Sequence, residues 1–143
     1  MYKRQGSLNK PLTVEVTVDN VGVDGIVVDL DVVVDISHEA AQDLEVTLIS
    51  PSGTAVVLTA DNGGFGENLS STIFDDEAAV GISSTGTDDA PFSGRFQPDE
   101  PLSSFDGEVV SGVWILNIVD DFPSVSDGVL NSCLLYTSPS PRD

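Results

Sequence analysis

Aliphatic side chains recur at every second position in four stretches of the chain, and this spacing restricts the fold more than any other feature. Residues 12–18, 28–36, 44–48 and 114–119 each place Val, Leu, Ile or Trp at alternate positions. Successive side chains of a β-strand point to opposite faces, so the pattern predicts strands with a buried face. A helical period of 3.6 residues is not sustained in any stretch; residues 77–80 suit a single helical turn at most. The chain is therefore predicted to be all-β.

Turn-forming residues separate these stretches. Residues 50–53 read Ser-Pro-Ser-Gly, in which Pro presets φ and Gly permits a tight turn, so a hairpin is expected between residues 44–49 and 55–59. Gly112 is expected to allow a close backbone approach just before Trp114, the largest apolar side chain, which we expect in the core. Several short strands with this punctuation predict an antiparallel β-sandwich or jelly roll. The other turn signals are Asp19-Asn20, Asp24-Gly25, Asp61-Asn62, Asp106-Gly107 and Asp127-Gly128.

Both ends of the chain differ from its interior. The opening MYKRQ holds two of the five Lys and Arg residues, and the closing CLLYTSPSPRD holds a third together with the one Cys. A single nucleotide sequence, TGT CTC TTA TAC AC, encodes residues 133–136, and its reverse complement encodes residues 2–4. Both ends therefore resemble the translated transposase-end adapter of shotgun sequencing libraries. We expect residues 1–5 and 133–143 to be adapter-derived scars, and residues 6–132 to be a truncated fragment of a natural domain.

The charge of the chain excludes two classes of partner. It carries 24 Asp and Glu residues against five Lys and Arg, a net charge of −19 at pH 7. Between residues 6 and 132 the cations are Lys10 and Arg95. Nucleic acids and anionic membrane surfaces bind through Lys and Arg, so neither is an expected partner. No apolar run approaches the ~20 residues of a membrane span. With Cys133 set aside, neither a disulfide nor a thiolate metal site is available.

His38 is the single histidine of the chain. A Ser-His-Asp hydrolase needs an imidazole oriented beside a nucleophilic serine, and the Gly-x-Ser-x-Gly elbow of α/β-hydrolases does not occur in the sequence. We therefore predict a non-catalytic domain in which His38 is a loop or edge residue near the end of a strand.

Five segments of the chain occur in an order and spacing typical of one domain family. They resemble the P domain, also called the Homo B domain, which accompanies the subtilisin-like catalytic domain of kexin- and furin-type proprotein convertases and occurs in many secreted bacterial proteins. The resemblance covers nearly all of residues 6–132. The segments are DLEVTLISPSGT (43–54), FDDEA (74–78), PFSGRFQPDEPLSSFDG (91–107), GVWILNIVDD (112–121) and DGVLNS (127–132).

The resemblance implies a jelly-roll β-sandwich, in agreement with the alternation described above. Family members commonly continue after a DGxLNS segment into a final strand that carries another Trp. In this chain residues 133–143 follow instead. Two outcomes are open: the truncated domain is unstable, or residues 133–136 take the position of the missing strand.

Acidic residues cluster at three places. Those on a strand at i and i+2 lie about 6.6–7 Å apart along the backbone, so their carboxylates repel each other, and a divalent cation would replace this repulsion with attraction. Carboxylate oxygens suit Ca²⁺ better than Zn²⁺. The clusters are Asp29, Asp31 and Asp35; Asp75, Asp76 and Glu77; and Asp120, Asp121 and Asp127.

We predict a structural Ca²⁺ ion as a cofactor, with the second cluster as the best candidate because it lies in the FDDEA segment of the resemblance. The predicted ligands are Asp75, Asp76, Glu77, Asp29 and Asp31. The alternative is a solvated acidic face adapted to salty surroundings.

Two functions remain open. The first is a non-catalytic accessory domain of a secreted subtilisin-like serine endopeptidase, in which the P domain packs against the catalytic domain of the same chain and stabilises it. The second is a β-sandwich adhesion or binding module of a large secreted or cell-surface protein. Both place the domain outside the cell or at its surface, and neither specifies an oligomeric state.

Overall fold

The computed structural model describes residues 6–7, 12–18, 25–63, 66–84, 92–121 and 128–137. Within these ranges the strands are β1 (Gly6–Ser7), β2 (Leu12–Val18), β3 (Leu30–Ser37), β4 (Leu44–Ile49), β5 (Ala55–Ala60), β6 (Leu69–Phe74), β7 (Gly94–Phe96), β8 (Gly112–Asp120) and β9 (Val129–Thr137). Short 3-10 helices span Ala41–Asp43, Ile82–Ser84 and Leu102–Phe105. The single helical turn considered for residues 77–80 is not formed; residues 76–77 make a turn instead.

The strands form two sheets. The five-stranded sheet has the order β1-β9-β3-β6-β7, and the four-stranded sheet has the order β2-β8-β4-β5. The predicted all-β sandwich is therefore confirmed. Within the described strands all pairs are antiparallel except β6 and β7, which run parallel. The expected hairpin between β4 and β5 is formed around the turn at residues 50–53.

The core lies where the inner faces of the strands meet. In β8, Trp114 and Leu116 are fully buried whereas Val113 is 41% exposed, which confirms the alternation predicted from the sequence. The Trp114 ring packs edge-to-face on Phe105 with 5.1 Å between the ring centroids. Its Nε1 donates to the carbonyl oxygen of Val110 at 2.8 Å. Other core residues are Val14, Val16, Val32, Val34, Ile36, Leu44, Val46, Leu48, Leu58 and Phe74.

Strand β6 was not predicted from the sequence, because a β-bulge breaks its alternation. Val34 pairs with Thr72, but Ile36 pairs with Leu69, so one strand contributes an extra residue. Ser71 sits in this bulge with a φ of 48°. As a result the buried positions of the strand are Leu69, Thr72 and Phe74, a spacing of three and then two. A bulge of this kind moves side chains out of the period of two.

Strand β9 crosses the domain boundary that we expected after Ser132. Residues 129–137 pair with β3, and the Cys133 side chain is fully buried in the core. Burial raises the pKa of the Cys133 thiol to about 12, so the thiol stays protonated and weakly reactive. Of the two outcomes considered for the chain end, the structure has residues 133–136 paired with β3. That these residues are adapter-derived stays a prediction.

Gly112→Ala is expected to destabilise the domain by about 1–3 kcal/mol, since the residue combines a strained backbone with a steric contact. Gly112 has a φ of +130°, and an added Cβ would lie 2.9 Å from Cβ of Pro51. Gly94 has a comparable φ of +115° but nothing within 4 Å of the added Cβ, so Gly94→Ala is the matched control for backbone strain alone. Urea denaturation should show the larger loss for Gly112→Ala. Equal losses for the two variants would contradict a role for the contact with Pro51.

Candidate metal site

Three carboxylates from two distant parts of the sequence meet at one corner of the five-stranded sheet. One ligand oxygen each from Asp29, Asp31 and Glu77 lies within 4.8 Å of the other two. Strands β3 and β6 are antiparallel neighbours with Val32 opposite Phe74, so the start of β3 lies beside the end of β6. This pairing merges parts of two sequence clusters that we had considered separately. Asp29 and Asp31 are 8% and 4% exposed, whereas Glu77 is exposed.

The turn that follows β6 directs its three acidic side chains to different partners. Oδ1 of Asp75 accepts a hydrogen bond from the backbone N–H of Glu77 at 2.9 Å. Asp76 accepts from the backbone N–H groups of Leu102 and Ser103, both at 2.8 Å, at the start of a 3-10 helix. Asp76 therefore supports the 102–105 segment and lies outside the group of three. Glu77 is the residue of this turn that joins that group.

Arg95 of β7 forms ion pairs with Asp31 and Asp75 at this site. Its Nη1 donates to Oδ2 of Asp75 at 2.8 Å and to Oδ2 of Asp31 at 3.1 Å. The two carboxylates are 5% and 6% exposed, and the Arg95 side chain is 51% exposed. The hydrogen bonds to Asp31 and Asp75 raise the pKa of Arg95 above its usual value. Among the described residues Arg95 is the one Lys or Arg. This positively charged side chain therefore lies beside the acidic residues Asp31 and Asp75.

The carboxyl group of Glu77 is perturbed by its neighbours. Burial, a hydrogen bond with Asp75 and the charge of Asp29 together raise the pKa of Glu77 from 4.5 to about 7. Burial is the first of these causes, although much of the residue remains in contact with solvent. Each cause disfavours the carboxylate relative to the neutral acid. A divalent cation at the same position would act in the opposite direction, because it favours ionised oxygens.

Without metal, the stability of the domain is expected to fall as the pH rises from about 4.5 to about 7. Over this interval folded Glu77 keeps a proton that the unfolded chain has released, so the free energy of unfolding decreases with pH. Glu77→Gln cannot ionise and should be more stable relative to wild type at pH 8 than at pH 5. Melting temperatures in a chelating buffer at the two pH values measure this. A wild-type-to-variant difference that is equal at both would contradict the raised pKa.

Asp35 does not join the metal group, although it alternates with Asp29 and Asp31 in the sequence. Its Oδ2 accepts hydrogen bonds from the backbone N–H and the hydroxyl of Ser71 at 3.0 and 3.1 Å. Its Oδ1 accepts from Asn131 Nδ2 at 2.9 Å. Asp35 therefore holds the bulged residue of β6 and ties β3 to β9.

The residues of the third acidic cluster differ in burial. Asp120 is buried and Asp121 exposed, while Asp127 lies outside the described residues. Burial, followed by the charge of Asp120, raises the pKa of Asp43. A hydrogen bond to Asp121 raises the pKa of Asp61. Within the described part of the chain, three potential ligand atoms come as close together as 4.8 Å only at the Asp29 site.

His38 forms a buried pair with Asp120 rather than part of a nucleophilic site. The Nε2 atom of His38 and Oδ2 of Asp120 are 2.6 Å apart, and each side chain is 1% exposed. The backbone N–H of Ala40 donates to Nδ1 of His38 at 3.0 Å. Because Nδ1 accepts, the ring proton lies on Nε2, which donates to Asp120. Both ring nitrogens are thus engaged in structural hydrogen bonds. We had expected a loop or edge residue, and His38 does follow the end of β3, but it is buried.

The comparison with sequence families agrees with the fold and with the segments quoted above. The family described as the proprotein convertase P-domain matches residues 27–135. The chain belongs to this family. The matched range contains strands β3 to β8, most of β9, the group of three carboxylates and Arg95. No curated protein sequence matches the chain at a significant level.

Solved structures contain the same fold as this P domain. The serine protease of Aeromonas sobria matches with a TM-score of 0.52 and 16% sequence identity, over 94% of this chain and 26% of the protease chain. The complex of Aeromonas sobria serine protease with its chaperone matches with a TM-score of 0.53 and 16% identity, over the same shares. The chain therefore spans about a quarter of the solved chains that it matches. At this identity the likeness establishes the fold.

The helices in the described ranges are short 3-10 turns. None of them has the length and hydropathy needed to cross a bilayer.

Proposed function

We propose that this P domain is a non-catalytic accessory domain of a secreted, extracellular subtilisin-like serine endopeptidase, which stabilises the catalytic domain of the same chain. The observation that carries the proposal is the difference in coverage: the fold accounts for 94% of this chain and 26% of a serine protease chain. A domain that occupies a quarter of a protease leaves room for a separate catalytic domain. The buried pairing of His38 with Asp120 is consistent with a structural part of such an enzyme.

The outer face of the four-stranded sheet offers a surface for the catalytic domain. Val113 and Ile115 alternate with the buried Trp114 along β8, so they point away from the core. Ile115 pairs with Ile49 of β4, which places two isoleucines side by side on this face. Val113 is 41% exposed. On its other side Ile115 is opposite Glu15 of β2, so this face combines aliphatic and polar side chains, as the contact surfaces of proteins commonly do.

The sequence of the gene upstream of residue 6 tests this proposal. We expect a domain with an Asp, His and Ser triad upstream of residue 6. Tandem β-sandwiches or a cell-surface anchor at that position would overturn the proposal and support a binding module. The stabilising role has a separate test, the half-life of the recovered protease at elevated temperature with and without residues 6–132. An equal half-life for the two forms would contradict stabilisation.

The group of Asp29, Asp31 and Glu77 is the proposed Ca²⁺ site. The donors are all carboxylate oxygens, which a hard cation prefers. Ca²⁺ binds oxygens at about 2.3–2.6 Å, so two ligands on opposite sides of one ion are about 5 Å apart. The 4.8 Å that encloses the three oxygens fits this dimension. A bound ion would supply positive charge that joins the start of β3 to the turn after β6 and so stabilises the edge of the sheet.

Calcium is expected to raise the melting temperature of the domain. Extracellular modules bind Ca²⁺ with a Kd of about 10⁻⁴–10⁻³ M, so about 10 mM Ca²⁺ should add roughly 1.4–2.7 kcal/mol of stability. For a domain of this size we expect a rise of about 5–10 °C. Asp29→Asn should abolish most of the rise, and 10 mM Mg²⁺ serves as the control for ionic strength. Identical melting curves with Ca²⁺ and with chelator would remove the metal from the proposal.

A further inference from the structure

Most edge strands of the two sheets are protected against pairing with a further strand. Residues 99–100 cover β5: their backbone N–H groups donate to carbonyl oxygens of β5 at 2.9 and 3.0 Å, and their carboxylates accept from N–H groups of β5 at 2.8 Å. Strand β7 has three residues. Strand β2 carries the exposed residue Glu15 at its centre. Covering segments, short length and charged side chains are the usual protection of sheet edges.

Strand β9 lacks such protection along most of its length. It pairs with β3 on one side, and on the other side the two residues of β1 cover only Val129 and Leu130. Among the described residues no strand lies beside residues 131–137 on that second side. Alternate residues of an edge strand direct their N–H and C=O groups away from the sheet. Residues 131–137, which we call the free edge, therefore offer backbone donors and acceptors to another strand.

We propose that two copies of this chain associate through the free edge, with the two β9 strands antiparallel, so that two five-stranded sheets form one continuous sheet. A twofold symmetric contact of this kind is the most common form of a homodimer. The inference depends neither on calcium binding nor on the accessory role. It concerns this chain, whose residues 133–143 we predict to be adapter-derived, and a natural relative with a different final strand need not share the contact.

The composition of the free edge favours a second copy as the partner. A symmetric pairing places a strand against its own sequence, so a charged residue near the centre of the strand adds repulsion to the contact. Residues 129–137 contain no Asp, Glu, Lys or Arg, in a chain with a net charge of −19. The same pairing through β2 would bring two copies of Glu15 together, and like charges on facing strands are destabilising. Of these two strands, β9 is therefore the one that can pair with itself.

The side chains of the free edge suit this contact. Tyr136 is 43% exposed and Leu134 is half-buried, and both lie on the outer face of the sheet because Leu135 between them points into the core. Opposite residues of paired strands lie on the same face, so a pairing that keeps both cores on one side of the sheet is centred on a single residue. Leu134 and Leu135 lie nearest the middle of the free edge. With either centre, Leu134 of one copy lies opposite or diagonal to Leu134 of the other, within about 8 Å.

Sedimentation equilibrium of the full chain tests the contact. We expect a reversible dimer whose dissociation constant is at least about threefold lower at about 0.5 M than at about 0.05 M NaCl, because salt screens the repulsion between two acidic chains. Leu134→Glu should raise the dissociation constant by about tenfold or more, since it brings carboxylates together across the two free edges. Val113→Glu is the matched control, because Val113 is an aliphatic residue of the other sheet that is 41% exposed. It should leave the dissociation constant nearly unchanged.

Thiol cross-linking locates the contact and decides the question if Leu134→Glu fails to fold. A short bismaleimide should link Leu134→Cys into covalent dimers and leave Val113→Cys monomeric, and wild type is the control for the buried thiol of Cys133.

Three results would overturn the inference. The first is a chain that stays monomeric at every concentration. The second is a dimer that folded Leu134→Glu forms as tightly as wild type, or that Leu134→Cys does not cross-link, since another surface would then hold it. The third is a dimer that forms only after removal of residues 1–5, because this segment would then be the occupant of the edge.

Discussion

Trp114→Ala is expected to lower the free energy of unfolding by about 3–5 kcal/mol, because it empties a fully buried site of the largest side chain in the core. Trp114 lies in β8, which is hydrogen-bonded to β2 on one side and to β4 on the other, so the cavity would open at the centre of the four-stranded sheet. The variant also loses the edge-to-face contact with Phe105. The carbonyl oxygen of Val110 would lose the indole N–H that it accepts at 2.8 Å.

Urea denaturation of wild type and variant measures this loss. Tyr136→Ala is the matched control, since Tyr136 is an aromatic residue of a strand that is 43% exposed. We expect a loss of less than about 1 kcal/mol for Tyr136→Ala. A loss below 1 kcal/mol for Trp114→Ala as well would show that the indole ring does not fill the core.

His38→Ala is expected to cost about 3 kcal/mol or more, because it breaks a buried pair by the removal of one partner. Asp120 would lose the ring N–H that lies 2.6 Å from its Oδ2, in a position where its side chain is 1% exposed. The backbone N–H of Ala40 would lose its acceptor on the imidazole. Both effects act on the segment between β3 and the 3-10 helix Ala41–Asp43, so this connection should loosen first.

Asp120→Asn provides the control for the charge of the pair. The amide oxygen of Asn can accept the same Nε2–H, so we expect Asp120→Asn to lose clearly less stability than His38→Ala. Hydrogen exchange of the Ala40 N–H in His38→Ala should be faster than in wild type, while exchange in the middle of β8 should change only with global stability. A loss for His38→Ala within about 0.5 kcal/mol of zero would place the imidazole at the surface.

The structure relates the proposed accessory role to particular surfaces. The outer face with Val113 and Ile115 belongs to the four-stranded sheet. Asp31 and Arg95 belong to strands of the five-stranded sheet, and Asp29 directly precedes β3 of that sheet. Contact with a catalytic domain through the first sheet would leave the proposed calcium site of the second accessible to solvent. Calcium would then act on the stability of the P domain itself and, through it, on the protease.

Strands with uninterrupted alternation were predicted well from the sequence. Strand β2 spans Leu12–Val18 as predicted, and β4 and β8 differ from their predicted ranges by one or two residues at an end. The reason is physical: each has one face buried in the core, and burial of alternate side chains is what the pattern records. Strand β6 was missed because of the bulge at Ser71. Strand β7 was missed because Gly94–Phe96 is too short to show a period.

The candidate site was predicted in part. Asp29, Asp31 and Glu77 were all named as ligands from the sequence, but in two separate clusters. Asp76 was named with them because it is adjacent in sequence, yet its carboxylate accepts two backbone N–H groups of the 102–105 segment. Adjacent residues in a turn point in different directions, so proximity in sequence was a poor guide to shared coordination. No feature of the sequence indicated that Arg95 would reach Asp31 across three strands.

The sequence by itself determined that this chain is an acidic, all-β sandwich of the P-domain family, because side-chain alternation, turn residues and the order of the quoted segments are local properties. Only the tertiary structure decided which acids meet, since the antiparallel register of β3 and β6 brings residues almost fifty positions apart to one corner. The tertiary structure likewise decided that His38 pairs with Asp120 and that Arg95 pairs with Asp31 and Asp75. Charge interactions depend on distance in space, and strand pairing sets that distance.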